Sequence, residues 1–138
     1  MTVTPDQRRT FAERLAENDA AEPGYAATWG KLCEKLLALG GETVVVTPWP
    51  HPVQDVQFIA DHSRRFDPVG AVFEPGETGE CHDNAEKLWR AGDGMATGFA
   101  LSADGLWREH SWGVRAGCVV ETTVERADYF GVERVPRS

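Results

Sequence analysis

A chain of 138 residues with 41% hydrophobic content has the length of one domain and enough apolar side chain for a single modest core. Five tryptophans and six phenylalanines argue against disorder, and a formal charge of −8 disfavours a nucleic-acid backbone or an anionic membrane surface as the main partner, since both need a basic patch. Three cysteines, Cys33, Cys81 and Cys118, form no CxxC pair and cannot all be paired, which argues against a disulfide scaffold and suits a reducing cytoplasm. No basic segment followed by an apolar one opens the chain, and no apolar run approaches the roughly 20 residues that span a bilayer. A cytoplasmic protein acting on a small-molecule or peptide substrate, without a membrane or nucleic-acid partner, is therefore expected; the oligomeric state is left open.

Thr4, Pro5 and Gln7 predict a helix start: Thr as N-cap, Pro at the first helical position, Gln three residues after the cap. Phe11 and Leu15, with Ala12 and Ala16, carry an apolar i, i+4 stripe to about Asn18, and Glu22-Pro23-Gly24 breaks it. A second helix is expected over residues 25–39, with Trp29, Leu32, Cys33, Leu36 and Leu37 on its apolar side and Gly40-Gly41 at its end. Residues 42–47 read as a short β-branched strand closed by Pro48-Trp49-Pro50-His51-Pro52. Residues 53–60 fit either helix or strand, and residues 69–73 fit a strand between Pro68 and Pro75. The loop 74–79 leads into a helix that starts near Cys81 and ends at Gly92 and Gly94.

The last third predicts an antiparallel meander. Residues 95–102 form a strand, Ala103-Asp104-Gly105 a tight turn, and residues 106–112 the returning strand. A turn at Arg115-Ala116-Gly117 introduces a third strand over residues 118–124. The tail, residues 126–132, adds a short turn or an edge strand, with Tyr129 and Phe130 in the core. The fold class is α+β in a single domain: a helical N-terminal part over residues 1–41, then a helix bearing Cys81 packed on an antiparallel sheet, with residues 70–130 as the expected catalytic core.

Chemistry concentrates in Gly79-Glu80-Cys81-His82-Asp83-Asn84, in Glu109-His110-Ser111-Trp112-Gly113 and in Val119-Val120-Glu121-Thr122-Thr123. A sulfur in the first turn of a helix is acidified by unsatisfied N–H groups and by the helix dipole, and a neighbouring histidine completes its activation. Gly76 and Gly79 allow a sharp turn before Cys81, whose amide is then placed to help form an oxyanion hole. Strand alternation decides whether Glu121 reaches His110. A two-residue loop, Ala116-Gly117, puts His110 opposite Thr123 with Glu121 diagonal on the same face. A four-residue loop puts His110 directly opposite Glu121, and a three-residue loop sends Glu121 to the other face.

A helix-borne cysteine, then a histidine and an acid on consecutive strands, resembles the papain-like cysteine hydrolase superfamily, including NlpC/P60 peptidases and transglutaminase-like proteins. The resemblance covers residues 70–130. It implies Cys81 as nucleophile, His110 as general base and acid, and Glu121 as the residue that orients the imidazole. The sequence departs from NlpC/P60 enzymes, which usually carry Asp-Cys-Ser-Gly-like residues where this chain has Glu80-Cys81-His82-Asp83, and the upstream oxyanion glutamine has no clear counterpart. Cys-His-x-Asn, His-Ser-Trp and Glu-Thr-Thr are also similar to motifs in a group of small bacterial and phage proteins. Asn84, His82 and Trp112 are candidate substrate-binding or oxyanion residues. Asn84 shares a helix face with Cys81, and its amide is placed either to polarise a carbonyl or to brace the loop. The reaction implied is thiol-dependent hydrolysis or acyl transfer at an amide, ester or thioester, with no cofactor and no metal. The alternatives are a metal site drawn from Cys81, His82 or Asp83 with His110 and Glu121, and a non-catalytic ligand-binding module on the same frame.

Overall fold

The computed structural model of the chain describes residues 3–48 and 50–135; Trp49, in the proline-rich segment expected to close the first strand, lies outside the described residues. Among these the elements run α1 (Pro5–Ala21), α2 (Tyr25–Leu39), β1 (Thr43–Val44), α3 (Val53–His62), β2 (Arg64–Phe66), β3 (Val72–Phe73), α4 (Cys81–Arg90), β4 (Gly94–Leu101), β5 (Leu106–Arg115), β6 (Cys118–Glu121) and β7 (Asp128–Arg134). The class is α+β. Contacts divide the chain into two compact units: one runs to His62 and takes in Ala103–Trp107, the other comprises Ser63–Ser102 and the chain from Arg108 on.

In the first unit, α1 begins with a reciprocal capping box. Thr4 Oγ1 accepts from Gln7 N at 3.1 Å, and Gln7 Oε1 accepts from Thr4 N at 2.9 Å. Helix α2 starts after Gly24 and stops at Gly40, both with positive φ, and buries Tyr25, Trp29, Leu32 and Leu36 along one stripe. Cys33 and Leu37 lie beside that stripe rather than within it, Cys33 half-buried and Leu37 exposed. Residues 53–60 belong to a helix, α3, which buries Val56 and Ala60. The strand expected over 42–47 is only two residues long, because β1 has a single partner: Thr43 and Val44 pair in parallel with Leu106 and Trp107. The Trp107 indole donates to Gly40 O at 2.9 Å, tying that pairing to the end of α2.

The second unit holds a sheet in the order β2-β7-β4-β5-β6-β3. Strand β7 is neither the short turn nor the edge strand expected of the tail. It lies between β2 and β4, with Tyr129 facing Phe66 on one side and Ala100 on the other. The expected strand over 69–73 shortens to β3, which pairs in parallel with β6, Val72 opposite Val120. Strand β2 had no visible sequence signal. Phe66, Ala96, Ala100, Trp112, Val114, Val119 and Tyr129 form a buried cluster on one face of this sheet. On the other face lies α4: a Cβ added to Gly113 would sit 2.7 Å from Leu88 Cδ1. The far end of α4 is fastened to the C-terminal strand, where Trp89 Nε1 donates to Val135 O at 2.8 Å and the Arg134 guanidinium covers the Trp89 ring at 3.4 Å.

The β5–β6 turn sets the register at the candidate site. Ala116 and Gly117 have φ of 53° and 77°, and two successive positive values are what a two-residue hairpin loop of type I′ demands. Arg115, Val114 and Gly113 therefore face Cys118, Val119 and Val120. The bonded pairs end at Gly113 and Val120, and alternation from them puts Glu121, the last residue of β6, on the same face of the sheet as His110.

Candidate active site

Cys81 is the first residue of α4, and the loop before it is built to hold that position. Glu74 N and Gly76 N donate to Glu121 O and Thr122 O at 2.9 and 2.8 Å, extending the β3–β6 pairing toward the helix. Asn84, one turn into α4, reaches back to this loop: its Oδ1 accepts from Glu77 N at 3.1 Å and its Nδ2 donates to Glu77 O at 2.9 Å. Gly76 is needed for that approach, because a Cβ there would lie 2.4 Å from Asn84 Cγ. Gly79 turns the chain with φ of 75°. Glu80, the N-cap, gives no side-chain hydrogen bond to the helix, so the first-turn amides are not capped from that residue.

The Cys81 thiol is half-buried. The His110 side chain and the backbone N–H groups of Ser111 and His82 lie near enough to favour its thiolate, the His110 hydrogen bond most of all. His110 Nε2 is engaged elsewhere, 2.8 and 3.0 Å from the two oxygens of Glu121, which leaves Nδ1 for the thiol. A carboxylate only accepts, so Nε2 carries the proton and Nδ1 faces the sulfur as acceptor from S–H or, once protonated, as donor to S⁻. The His110 and Glu121 side chains are 1% and 3% exposed, so water does not compete for this pair.

Glu121 is held by five donors. Beyond His110 Nε2, its Oε1 accepts from the Tyr129 hydroxyl at 2.8 Å. Its Oε2 accepts from Thr122 N, Thr123 N and Thr123 Oγ1 at 3.0, 3.0 and 3.1 Å. The chain bends directly after β6, which lets the two threonine amides turn back onto the preceding carboxylate. Arg126 adds a cation behind the group: its Nε lies 4.0 Å from Glu121 Oε1, while the guanidinium donates to Val124 O, Ser102 Oγ and Thr123 Oγ1.

These contacts set the ionisation of the trio. The hydrogen bond from His110 lowers the Cys81 pKa, and with the Ser111 and His82 amides it outweighs the opposing effect of burial. For His110, burial disfavours the imidazolium, yet hydrogen bonds to Cys81 and Glu121 and the charge of Glu121 carry its pKa above the usual value. For Glu121, burial acts upward but is outweighed by the hydrogen bond and charge of His110 and the donors around it, so the carboxyl titrates below its ordinary range. Cys33 is the contrast: burial alone pushes its thiol up to about 11.

Cys81 opens onto a cleft of about 460 Å³ whose wall includes Gly79, Thr123, Val124 and Arg126, with His110 buried at its base. The other candidate residues lie elsewhere. Asn84 is buried, with its amide committed to Glu77, so it braces the loop and does not face a substrate. His82 is exposed, its Nδ1 3.2 Å from Ser111 Oγ and its Nε2 3.8 Å from Glu86, and it is not part of the cleft wall. Trp112 is fully buried in the sheet core, because alternation places it on the face that Phe66 and Tyr129 cover, with its ring stacked 6.0 Å from that of His110. Tyr129 and Arg126 are the site residues that sequence reasoning missed. Their contacts depend on strand register, although a Glu-Thr-Thr run after a strand was a local signal for the threonine clamp.

Among the described residues no group of three or more His, Cys, Asp and Glu side chains is disposed to hold a metal ion, and no helix is long and apolar enough to cross a membrane. Comparison with protein-family models, with curated proteins and with solved structures finds no match to this chain.

Proposed function

We propose that the protein is a thiol-dependent hydrolase or acyltransferase acting on an amide, ester or thioester, with Cys81 as nucleophile, His110 as proton carrier and Glu121 as the fixed anion that orients the ring. The observation that carries this reading is one chain of contacts: a helix-start thiol bonded to an imidazole whose other nitrogen is gripped by a buried carboxylate. A structural cysteine needs no such arrangement, and burying a histidine–glutamate pair is costly unless its charge is used or fully bonded. The cleft over Cys81 and His110 gives a carbonyl room to approach. The same order of residues is the one that resembles the papain-like superfamily.

The chemistry follows from these positions. The Cys81 thiolate forms a C–S bond to the substrate carbonyl carbon as the carbonyl π pair moves onto oxygen, near the first-turn amides of α4. When that intermediate collapses, the bond from carbon to the leaving nitrogen, oxygen or sulfur breaks, and the leaving atom takes the proton held on His110. Water then gives a proton to His110 as its oxygen attacks the thioester. The C–S bond breaks, the thiolate re-forms, and an acid is released. An amine, alcohol or thiol in place of water turns the same sequence into acyl transfer.

Intact-mass analysis with p-nitrophenyl acetate tests the proposal. Release of p-nitrophenolate with one acetyl group on Cys81 is expected, and both disappear in Cys81→Ala. Acetylation spread over surface lysines, with Cys81 unmodified and hydrolysis unchanged in Cys81→Ala, sinks it.

A further inference from the structure

We propose that Tyr129 is a positioning residue of this site: its hydroxyl locks Glu121 to the sheet and thereby sets the orientation and proton affinity of the carboxylate that holds His110. The inference rests on the proposed role of the Cys81–His110–Glu121 trio and adds a residue that does not touch the reacting atoms.

The two oxygens of Glu121 are held in different ways. The donors on Oε2 that come from Thr122 and Thr123 belong to the residues immediately after Glu121, so they travel with the carboxylate wherever that bend goes. Tyr129 comes from a different element. It sits on β7, between β2 and β4, in register with Phe66 and Ala100. Its ring is 1% exposed and packs 4.9 Å from Trp112, the residue two positions from His110 on β5. The sheet therefore determines where the hydroxyl is, and its 2.8 Å bond to Oε1 transfers that position to the carboxylate. His110 Nε2 meets the same oxygen at 2.8 Å. Two donors on one carboxylate oxygen share its electron density, so the strength of the phenol as a donor tunes how tightly Glu121 holds a proton. Burial and the charge of Glu121 push the Tyr129 phenol far above its ordinary pKa, so it stays a donor at every pH at which the site works. A tyrosine that was merely packed would have its hydroxyl satisfied by any acceptor, and altering its donor strength would leave the site unchanged.

The test uses the full chain in three forms: wild type, Tyr129→Phe, and 3,5-difluorotyrosine incorporated site-specifically at position 129. Carbon-13 NMR of the glutamate carboxyls gives the midpoint of Glu121, and iodoacetamide alkylation read by peptide mass gives the acid limb of Cys81. Removing a hydrogen bond to a charged group is expected to raise the Glu121 midpoint by about one pH unit, and the stronger fluorinated donor to lower it. The acid limb of Cys81 moves in the same order, with alkylation in Tyr129→Phe falling roughly tenfold where wild-type Glu121 is still ionised. Identical carboxyl midpoints in all three proteins overturn the inference, and the fluorinated form still decides the matter if the phenylalanine variant folds poorly. The two proposals separate cleanly. Midpoints that follow donor strength while Cys81 reacts like a free thiol support the Tyr129 link and reject the thiol relay. A reactive Cys81 with a flat carboxyl series does the reverse.

Discussion

Glu121→Gln isolates what the carboxylate contributes beyond its shape. The amide has the same outline but only one accepting oxygen. Three donors, Thr122 N, Thr123 N and Thr123 Oγ1, converge on the Oε2 position, so the glutamine oxygen settles there and its NH₂ takes the place of Oε1. The NH₂ then faces the Tyr129 hydroxyl, which can rotate to accept, and His110 Nε2, which must become an acceptor. The ring proton is forced onto Nδ1, toward the sulfur. His110 then no longer accepts the thiol proton, and the anion that stabilised the imidazolium is gone. One hydrogen bond to a charged group is worth about 1.5–3 kcal/mol, which at 1.36 kcal/mol per pH unit predicts a 10- to 100-fold loss of Cys81 alkylation at pH 6. Stability responds differently, because nearly every donor keeps a partner, so a loss of no more than about 1–2 kcal/mol is expected in urea. The acid side changes as well. Wild-type Glu121 titrates below its unfolded value of 4.5, so its contribution is complete above that pH and is lost as pH falls through the folded value. The glutamine variant lacks that loss. Alkylation at the wild-type rate in a folded Glu121→Gln protein would refute the reasoning.

Other outcomes follow from the same contacts. Cys33, with its thiol raised to about 11, should be about 1% ionised at pH 9 and should stay unlabelled in the native protein while Cys81 reacts; peptide mapping after short iodoacetamide exposure reads both. Asn84→Ala removes both bonds that brace Glu77 and should cost about 1–3 kcal/mol in chemical denaturation, with a further drop in Cys81 reactivity as the helix start loosens. Asn84→Asp, which keeps the acceptor and loses the donor, should fall between the two. Gly98→Ala would place a Cβ 2.3 Å from Phe130 O in the neighbouring strand, so the β4–β7 pairing must shift and Tm should drop sharply. His110 titrates above its usual value, so its stabilising contribution is full below the unfolded value of 6.5 and is lost as pH rises through the folded one. An alkaline decline in stability that is absent in His110→Asn, read by urea titration at several pH values, is expected.

What could be read from the sequence was what local chemistry encodes. The capping residues Thr4 and Gln7, the glycines at 24 and 40 and the Trp29-Leu32-Leu36 stripe specify the first two helices without help from the rest of the chain. The Ala116-Gly117 turn likewise carries the β5–β6 register, and with it the geometric relation of His110 to Glu121. Elements decided by distant partners were not legible. Strand β2 is three residues long and exists because β7 offers it an edge, so 64–66 carries no pattern of its own, whereas a strand was legible in 69–73 but only 72–73 finds a partner, in β6. Strand β7 had the residues of a buried strand, but nothing in 126–132 says that it inserts between β2 and β4. The site divides the same way. Cys81, His110 and Glu121 stand out by residue type and order. Trp112 was a ligand candidate because its burial depends on Phe66 and Tyr129 covering that face, and Tyr129, rightly expected in the core, gave no sign in the sequence that its hydroxyl reaches Glu121.

The measurement that bears most directly on the thiol relay is the rate of iodoacetamide alkylation at Cys81 between pH 4 and 9, in wild type and in His110→Ala. Coupling to His110 predicts a wild-type rate that is already high and nearly flat below neutrality, while the variant climbs only as pH approaches the ordinary thiol value near 9. Superimposable profiles, both rising with that of a free thiol, would contradict it.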